Sequence, residues 1–429
     1  MHEAPHAHET VLEVEAPRVK FGRGAIAEVG ADAAALGIRR VALFTDAHVA
    51  RLELAERARR SLRDAGVDVA EFDRVRIEPT DASFRDAAAF ARDARVDGYV
   101  SIGGGSTIDT AKAANLYATY PAPFERYVNA PLGEAAPIPG PLAPHIACPT
   151  TSGTGSECTG IAIFDFEAHD VKTGIASRRL RPTLGIVDPD ATRTLPSTVV
   201  AASGFDVLAH ALESFTARPF TARAKPATPG ARPLSQGANP YSDLACAEAL
   251  RILGEHLERA VHAADDDDAR EAVMYAATLA GIGFGNAGVH VPHGMAYAVA
   301  GLVRAYVPPD YDADHAMVPH GMSVIVSAPS VARFTAAASP ERHRHVAMLL
   351  GGERTKHDDE VGDVLAAALA RIMRATGMPN GLRALGYDDA DVPALVRGAA
   401  AQQRLLANAP LPVGEAELAH LFAGAMAVW

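Results

Sequence analysis

The periodicity of the apolar residues changes character near Pro196, and that change limits the chain to a parallel-sheet half followed by a helical half. From about residue 38 to 190, short β-rich runs alternate with helical patterns, as in βαβ units joined into a mostly parallel sheet. Strands are expected at 41–45, 98–102, 145–148, 161–164 and 183–187, with helices over 84–95 and 107–117. Beyond Pro196, Leu244, Ala247, Leu250, Leu253, Leu257 and Val261 recur every three or four positions. Val361, Leu365, Leu369 and Ile372 do the same before Gly377 and Pro379 close their helix. The expected division is a flexible tail over 1–17, a Rossmann-like α/β domain over 18–195, and an all-α domain over 196–429.

A length of 429 residues suits two domains, and 48% hydrophobic with 21% charged residues is the composition of a folded chain. The formal charge of -12 offers no basic face to nucleic acid, and no apolar run is long enough to span a bilayer. Cys148, Cys158 and Cys246 form neither a CxxC pair nor an even disulfide framework, so buried thiols in a reducing compartment are expected. Residues 1–17 are acidic and histidine-rich without the marks of a signal or organelle presequence, which points to the cytoplasm. His2, His6 and His8 are read as part of a frayed tail rather than as metal ligands. The stretch 217–240 carries five prolines and two glycines, too many for a helix, and is expected as a long loop near the active cleft.

Two loops have the composition of a phosphate cradle. The strand 98–102 runs into Gly103, Gly104, Gly105 and Ser106 and then into a helix, so backbone N–H groups and the helix N terminus can converge on a pyrophosphate. The strand ending at Cys148 runs into Pro149, Thr150, Thr151, Ser152, Gly153, Thr154, Gly155, Ser156 and Glu157, at the end of a parallel strand where open α/β sheets bind ligands. Asp46 follows the strand 41–45, where a carboxylate accepts from a ribose hydroxyl and repels a 2′-phosphate, favouring NAD; an N-cap is the plainer reading.

Asp206 and His210 fall four apart on an expected helix, on one face. His293 and His320 each follow a proline and precede Gly-Met, within small and apolar surroundings. One carboxylate and three imidazoles suit a divalent metal, Fe²⁺ or Zn²⁺, with a position left open for a substrate oxygen. His290 and His315 are lower-ranked alternatives because they lack the His-Gly-Met context.

Taken together, Gly103–Ser106, the loop 150–157, Asp206-x-x-x-His210 and the two later histidines resemble the iron-containing alcohol dehydrogenase family from about Val19 to Gly352. The resemblance implies a dinucleotide-binding α/β domain, a helical metal-binding catalytic domain, and a metal in the cleft between them. It also implies pyrophosphate at Gly103–Ser106 and the nicotinamide side at Thr150, Thr151 and Lys172. Within the family, the segments 281–290, 318–323, 236–240 and 340–343 look most like the hydroxyacid-oxoacid transhydrogenase branch. Tyr297 stands where simpler alcohol dehydrogenases carry a histidine, leaving a phenol to move a proton or shape the pocket. The branch implies small hydroxyacid and oxoacid substrates, 4-hydroxybutyrate with 2-oxoglutarate, and leaves a homodimer open. An ordinary NAD-dependent alcohol dehydrogenase that releases NADH each turnover is the alternative. A carboxylate substrate needs a cation, and Arg218, Arg223, Lys225 and Arg232 in the loop 217–240 are the candidates, Arg232 first.

Overall fold

Strong alternation in the first half places one apolar set on each face of a sheet. The computed structural model describes residues 7–169, 171–311 and 315–429, and its first unit is Ala16–Leu195. Its strands are β1 (Arg18–Phe21), β2 (Arg40–Phe44), β3 (Asp68–Phe72), β4 (Gly98–Gly103), β5 (His145–Pro149), β6 (Ile161–Phe166), β7 (Val171–Ala176) and β8 (Leu184–Val187). Six of them form a sheet in the order β1-β8-β5-β4-β2-β3, every pairing parallel. Val41, Leu43, Val100, Ile102, Ile146 and Cys148 pack on one face with Val29 and Ala33 of α1 (Val29–Ala35) and Ala58 and Leu62 of α2 (Glu53–Asp64). Ala42, Phe44, Phe72 and Tyr99 pack on the other with Ala87 and Ala91 of α3 (Asp81–Ala94) and Ala111 and Ala114 of α4 (Gly105–Thr119). Each large apolar side chain so buried contributes about 1.5–3 kcal/mol.

Three strands escaped the sequence reading: β7, and the two edges of the six-stranded sheet. β1 and β3 are short and carry Arg18, Lys20, Asp68 and Glu71, and edge strands are commonly shortened and charged in this way. The run at 161–164, expected as another strand of the β/α alternation, instead forms the antiparallel hairpin β6–β7. Phe164, Phe166 and Ile175 of that hairpin pack with Phe84 of α3 and Leu116 of α4. Within the sheet, β2 has β3 on one side and β4 on the other, so the winding reverses there. A crevice opens at the carboxyl ends of strands flanking such a reversal. Asp46 and Gly103–Ser106 occupy those ends.

The second unit joins the residues before Ala16 to Pro196–Trp429. It is helical, with α5 (Ser197–Thr216), α6 (Pro240–His262), α7 (Asp267–Ala287), α8 (Val291–Gly301) and α9 (His320–Ile325) followed by further helices up to Glu415–Gly424. Every residue of α5 from Gly204 to Thr216 is buried, so its polar side chains Asp206, His210 and Glu213 lie in the interior. Small residues permit the close packing. A Cβ on Gly204 would sit 2.3 Å from Leu257 of α6, and one on Gly321 of α9 would sit 1.8 Å from the Ala202 carbonyl of α5.

The N-terminal segment departs from a free tail. Glu9 N donates to Arg223 O at 2.9 Å and Lys225 N to Ala7 O at 3.1 Å. Asn286 exchanges two bonds with Glu15, at 2.9 and 2.8 Å, and Gln236 is likewise bonded both ways to Glu13. Reciprocal side-chain amides satisfy this strand-like backbone, which is why it is not frayed. His2 and His6 lie outside the described residues.

Candidate metal centre and nucleotide loops

α5 supplies Asp206 and His210 one turn apart. Pro292 and Pro319 open α8 and α9, and set His293 and His320 in or at the start of the first turn. The Asp206 Oδ1 atom is then 3.6 Å from His210 Nε2, 3.6 Å from His293 Nε2 and 3.7 Å from His320 Nε2. These separations are too long for hydrogen bonds. They match the edge of a ligand tetrahedron, about 3.3–3.5 Å for bonds of roughly 2.0–2.2 Å. Asp206, His293 and His320 have ligand atoms all within 4.8 Å of one another, a set that does not include His210, which approaches Asp206 at 3.6 Å and would close on the others when an ion binds. Asp206 Oδ1 and His293 Nε2 are buried and make no hydrogen bond, a costly state that a shared cation relieves. The donor set therefore fits a first-row divalent ion.

The charges inside this cage are strongly coupled. Burial acts to raise the Asp206 carboxyl, but the imidazoles of His210 and His320, with His293, hold it well below the usual range. Burial pulls His210 down to about 3, against the carboxylate's opposing pull, so the imidazole stays neutral, the form that can ligate a metal. His293 also suffers burial, yet Glu213 and Asp206 outweigh it and lift it to about 9. A proton and a metal would compete for that Nε2.

Glu213 was missed in the sequence. Its Oε1 lies 2.6 Å from His293 Nδ1, and its Oε2 accepts from His290 N at 2.7 Å. This carboxylate fixes the His293 tautomer so that Nε2 faces Asp206. The signal was present as a third polar residue, seven after Asp206 and three after His210, on the same buried helical face. His290 turns instead to Thr216, with Nε2 3.2 Å from Oγ1, and is not part of the cage. Phe284 stacks on His210 with ring centroids 3.9 Å apart, and Tyr297 is buried with its ring 6.3 Å from that of His320.

In the α/β unit the two glycine- and hydroxyl-rich loops meet. β4 and β5 pair up to Gly103 and Pro149, and Thr150 N donates to Gly103 O at 3.0 Å. A Cβ on Gly105 would lie 2.5 Å from Thr154, so glycine there lets the loops close on each other, while one on Gly104 would meet Thr151 at 3.5 Å, an ordinary contact. Ser106 Oγ accepts from Glu78 N at 3.2 Å, and Ser152 is buried in the facing loop. Lys172 is buried with its ammonium on Glu78 and 2.9 Å from Asp165 Oδ1. Asp46 Oδ1 accepts from His48 N and Val49 N at 2.9 Å each, the cap geometry, at the carboxyl end of β2. Sequence reasoning passed over Lys112, wholly buried, which donates to Ser156 Oγ at 2.5 Å and to Ile161 O at 2.7 Å beside Asp109. It ties α4 to the second loop.

A parallel-sheet unit with paired phosphate-type loops, and a helical unit with an Asp-His-His-His cage, define a class of metal-dependent dehydrogenase folds. The chain belongs to the iron-containing alcohol dehydrogenase family and is an enzyme: the family's iron-containing alcohol dehydrogenase model matches residues 16–189, and its C-terminal model matches 234–426. It is 47% identical over 421 residues to the mitochondrial hydroxyacid-oxoacid transhydrogenase of Bos taurus, covering 97% of this chain and 90% of that one. The Homo sapiens protein of the same name is also 47% identical over 421 residues, with the same coverage of this chain, 97%, and 90% of its own length. The crystal structure of a 1,3-propanediol oxidoreductase superposes with a TM-score of 0.84 at 30% identity, covering 97% of this chain and 100% of that one.

The expectation of a cytoplasmic location is corrected by these relatives, which are named mitochondrial. Unpaired cysteines, all three of them buried here, report a reducing environment and do not say which compartment provides it. Among the described residues, no single helix is long and apolar enough to cross a membrane.

Proposed function

We propose that this enzyme moves hydride between a hydroxyacid and an oxoacid through a bound NAD, with 4-hydroxybutyrate and 2-oxoglutarate as the pair. The carrying observation is the Asp206 oxygen ringed by three imidazole nitrogens at 3.6–3.7 Å in a chain nearly half identical to named transhydrogenases. When bound, Fe²⁺ or Zn²⁺ supplies Lewis acidity toward a hydroxyl or carbonyl oxygen, and NAD supplies the hydride acceptor and donor. Asp206, His210, His293 and His320 hold the ion, and Glu213 keeps His293 oriented toward it. Gly103, Gly104, Gly105 and Ser106 receive the pyrophosphate, with Thr150, Thr151 and Ser152 across from them. Lys172 braces Glu78, whose N–H holds Ser106, so it acts on the nucleotide loop through that carboxylate. Asp46 keeps Oδ2 for a ribose hydroxyl while Oδ1 caps the turn. Tyr297, beside His320, shapes the pocket and offers a phenol for proton transfer.

The test is isotope transfer. With carbinol-deuterated 4-hydroxybutyrate, 2-oxoglutarate and an enzymatic trap for free NADH, the label should appear in 2-hydroxyglutarate. Initial rates should give parallel double-reciprocal lines, as for a ping-pong cycle. Label collected by the trap would establish an ordinary dehydrogenase that exchanges its nucleotide each turnover.

A further inference from the structure

We propose that Asn408 is a positioning residue of the metal centre: its side-chain amide fixes the bend that brings His293 to Asp206. This rests on the metal reading given above and adds to it a residue from a distant part of the chain.

Between α7 and α8 the chain turns through Gly288, Val289 and His290, and His293 follows in the first turn of α8. Gly288 has a φ of 82°, a conformation that favours glycine, so the direction in which α8 leaves is set at this turn. Three successive buried carbonyls of the turn are taken up by side chains from elsewhere. Asn408 Nδ2 donates to Ala287 O at 3.1 Å and to Val289 O at 3.2 Å, and Ser214 Oγ of α5 donates to Gly288 O at 2.9 Å.

An amide is the group this place requires. One uncharged nitrogen with two N–H bonds can serve two carbonyls at once, and the reverse orientation would set Oδ1 against both oxygens. The Asn408 Oδ1 atom is buried and has no hydrogen-bond partner among the described residues, so the side chain forgoes bonds of its own while holding the turn. Asn408 is itself anchored: its N–H donates to Leu405 O at 2.9 Å, and its carbonyl accepts from Arg218 N at 3.0 Å. The short helix Gln403–Leu406 just before it packs on α8 one residue past His293, where a Cβ on Gly294 would meet Leu406 at 3.2 Å and Leu405 at 3.8 Å. Residues 402–408 thus hold the start of α8 at two points, before and after His293.

The direction of α8 decides how His293 meets its neighbours. His290 N and His293 N approach Glu213 Oε2 at 2.7 and 3.4 Å while Oε1 lies 2.6 Å from His293 Nδ1, and His293 Nε2 is left 3.6 Å from Asp206 Oδ1. Without the Asn408 amide, each of two buried carbonyls loses a donor, the turn relaxes, and His293 shifts against Asp206.

The experiment titrates Co²⁺ into metal-stripped protein, reading affinity by chelator competition and coordination by the visible d–d bands. Asn408→Ala should weaken Co²⁺ binding about tenfold, the scale of an outer-shell partner, and shift the bands. Asn408→Gln, which keeps both donors on a longer arm, should recover part of the affinity. Ser214→Ala removes the donor to Gly288 O alone; it should give smaller changes in the same two readouts, and it decides if Asn408→Ala does not fold. Asn115→Ala is the comparison: it removes an equally buried amide, bonded to Ala143 O at 2.8 Å in the α/β unit, and should lower Tm with Co²⁺ affinity and bands unchanged. Asn408→Ala protein with a lowered Tm but wild-type affinity and bands would overturn the positioning role and leave the metal reading standing. Failure of the metal reading looks different: wild-type and Asp206→Asn protein would then bind Co²⁺ equally, and the role of Asn408 would fall with it.

Discussion

At the scale of single residues, the proposed metal cage depends on a side chain that is not itself one of the proposed ligands. Glu213 lies wholly in the interior and spends one oxygen on His293 Nδ1 and the other on the backbone of His290. Replacing a hydrogen-bonded carboxylate behind a histidine ligand typically lowers metal affinity by about 10- to 100-fold. Glu213→Gln should therefore release metal at correspondingly lower chelator concentrations, with the secondary structure intact by circular dichroism. Metal affinity equal to wild type would show that packing alone orients His293. The same scale shows what spacing can reveal. The placement of Asp206 and His210 on one face of α5 was legible because a helix puts positions four apart together, whereas nothing local in the sequence links Glu213 to His293. Arg232, placed first among the loop's cations by sequence, is paired with Glu9; sequence shows charge without showing which charges are already paired.

Among the secondary-structure elements, α9 packs backbone against backbone on α5. Gly321 follows His320, a proposed metal ligand, and a Cβ there would lie 1.8 Å from Ala202 O and 2.8 Å from Asp206 N. No rotamer relieves that clash, since both obstacles are backbone. Gly321→Ala should push α9 away from α5, cost about 1–3 kcal/mol as an overpacked core does, and separate His320 from Asp206. The expected outcome is a lowered Tm together with weakened metal binding. Gly294→Ala is the comparison, because its Cβ would meet the side chain of Leu406 at 3.2 Å, which can shift. Equal behaviour of the two variants would count against the close approach as the reason for glycine at 321. The His-Gly-Met pattern was visible in the sequence as a repeated context. Its physical cause at 321, helix against helix backbone, was not.

For the whole molecule, the N-terminal segment and the proline-rich loop stabilise each other. Glu9 holds Arg232, Gln236 and Glu13 bond both ways, and Asn286 does the same with Glu15. Glu9→Ala combined with Glu13→Ala should expose the loop 217–240 to trypsin at Arg223, the basic residue of the loop not followed by proline, several-fold faster than in wild type. Cleavage at an unchanged rate would mean the loop is ordered without the segment. The division of the chain follows from the sequence because period-two and period-3.6 patterns demand different partners for their apolar faces, and the switch near Pro196 is abrupt. The glycine loops and the Asp-x-x-x-His pair follow for the same local reason, since turn geometry and helical spacing act over a few residues. What only tertiary structure decided are the pairings between distant segments: β1 beside β8, the hairpin β6–β7, Glu213 under His293, and residues 7–15 on the loop 217–240. β1, Arg-Val-Lys-Phe, alternates over 4 residues only and β3, Asp-Val-Ala-Glu-Phe, does not alternate, and a hydrogen bond spanning 80 positions, such as Glu213 to His293, leaves no period in the chain. Such contacts come from packing whole elements together, which no local pattern encodes.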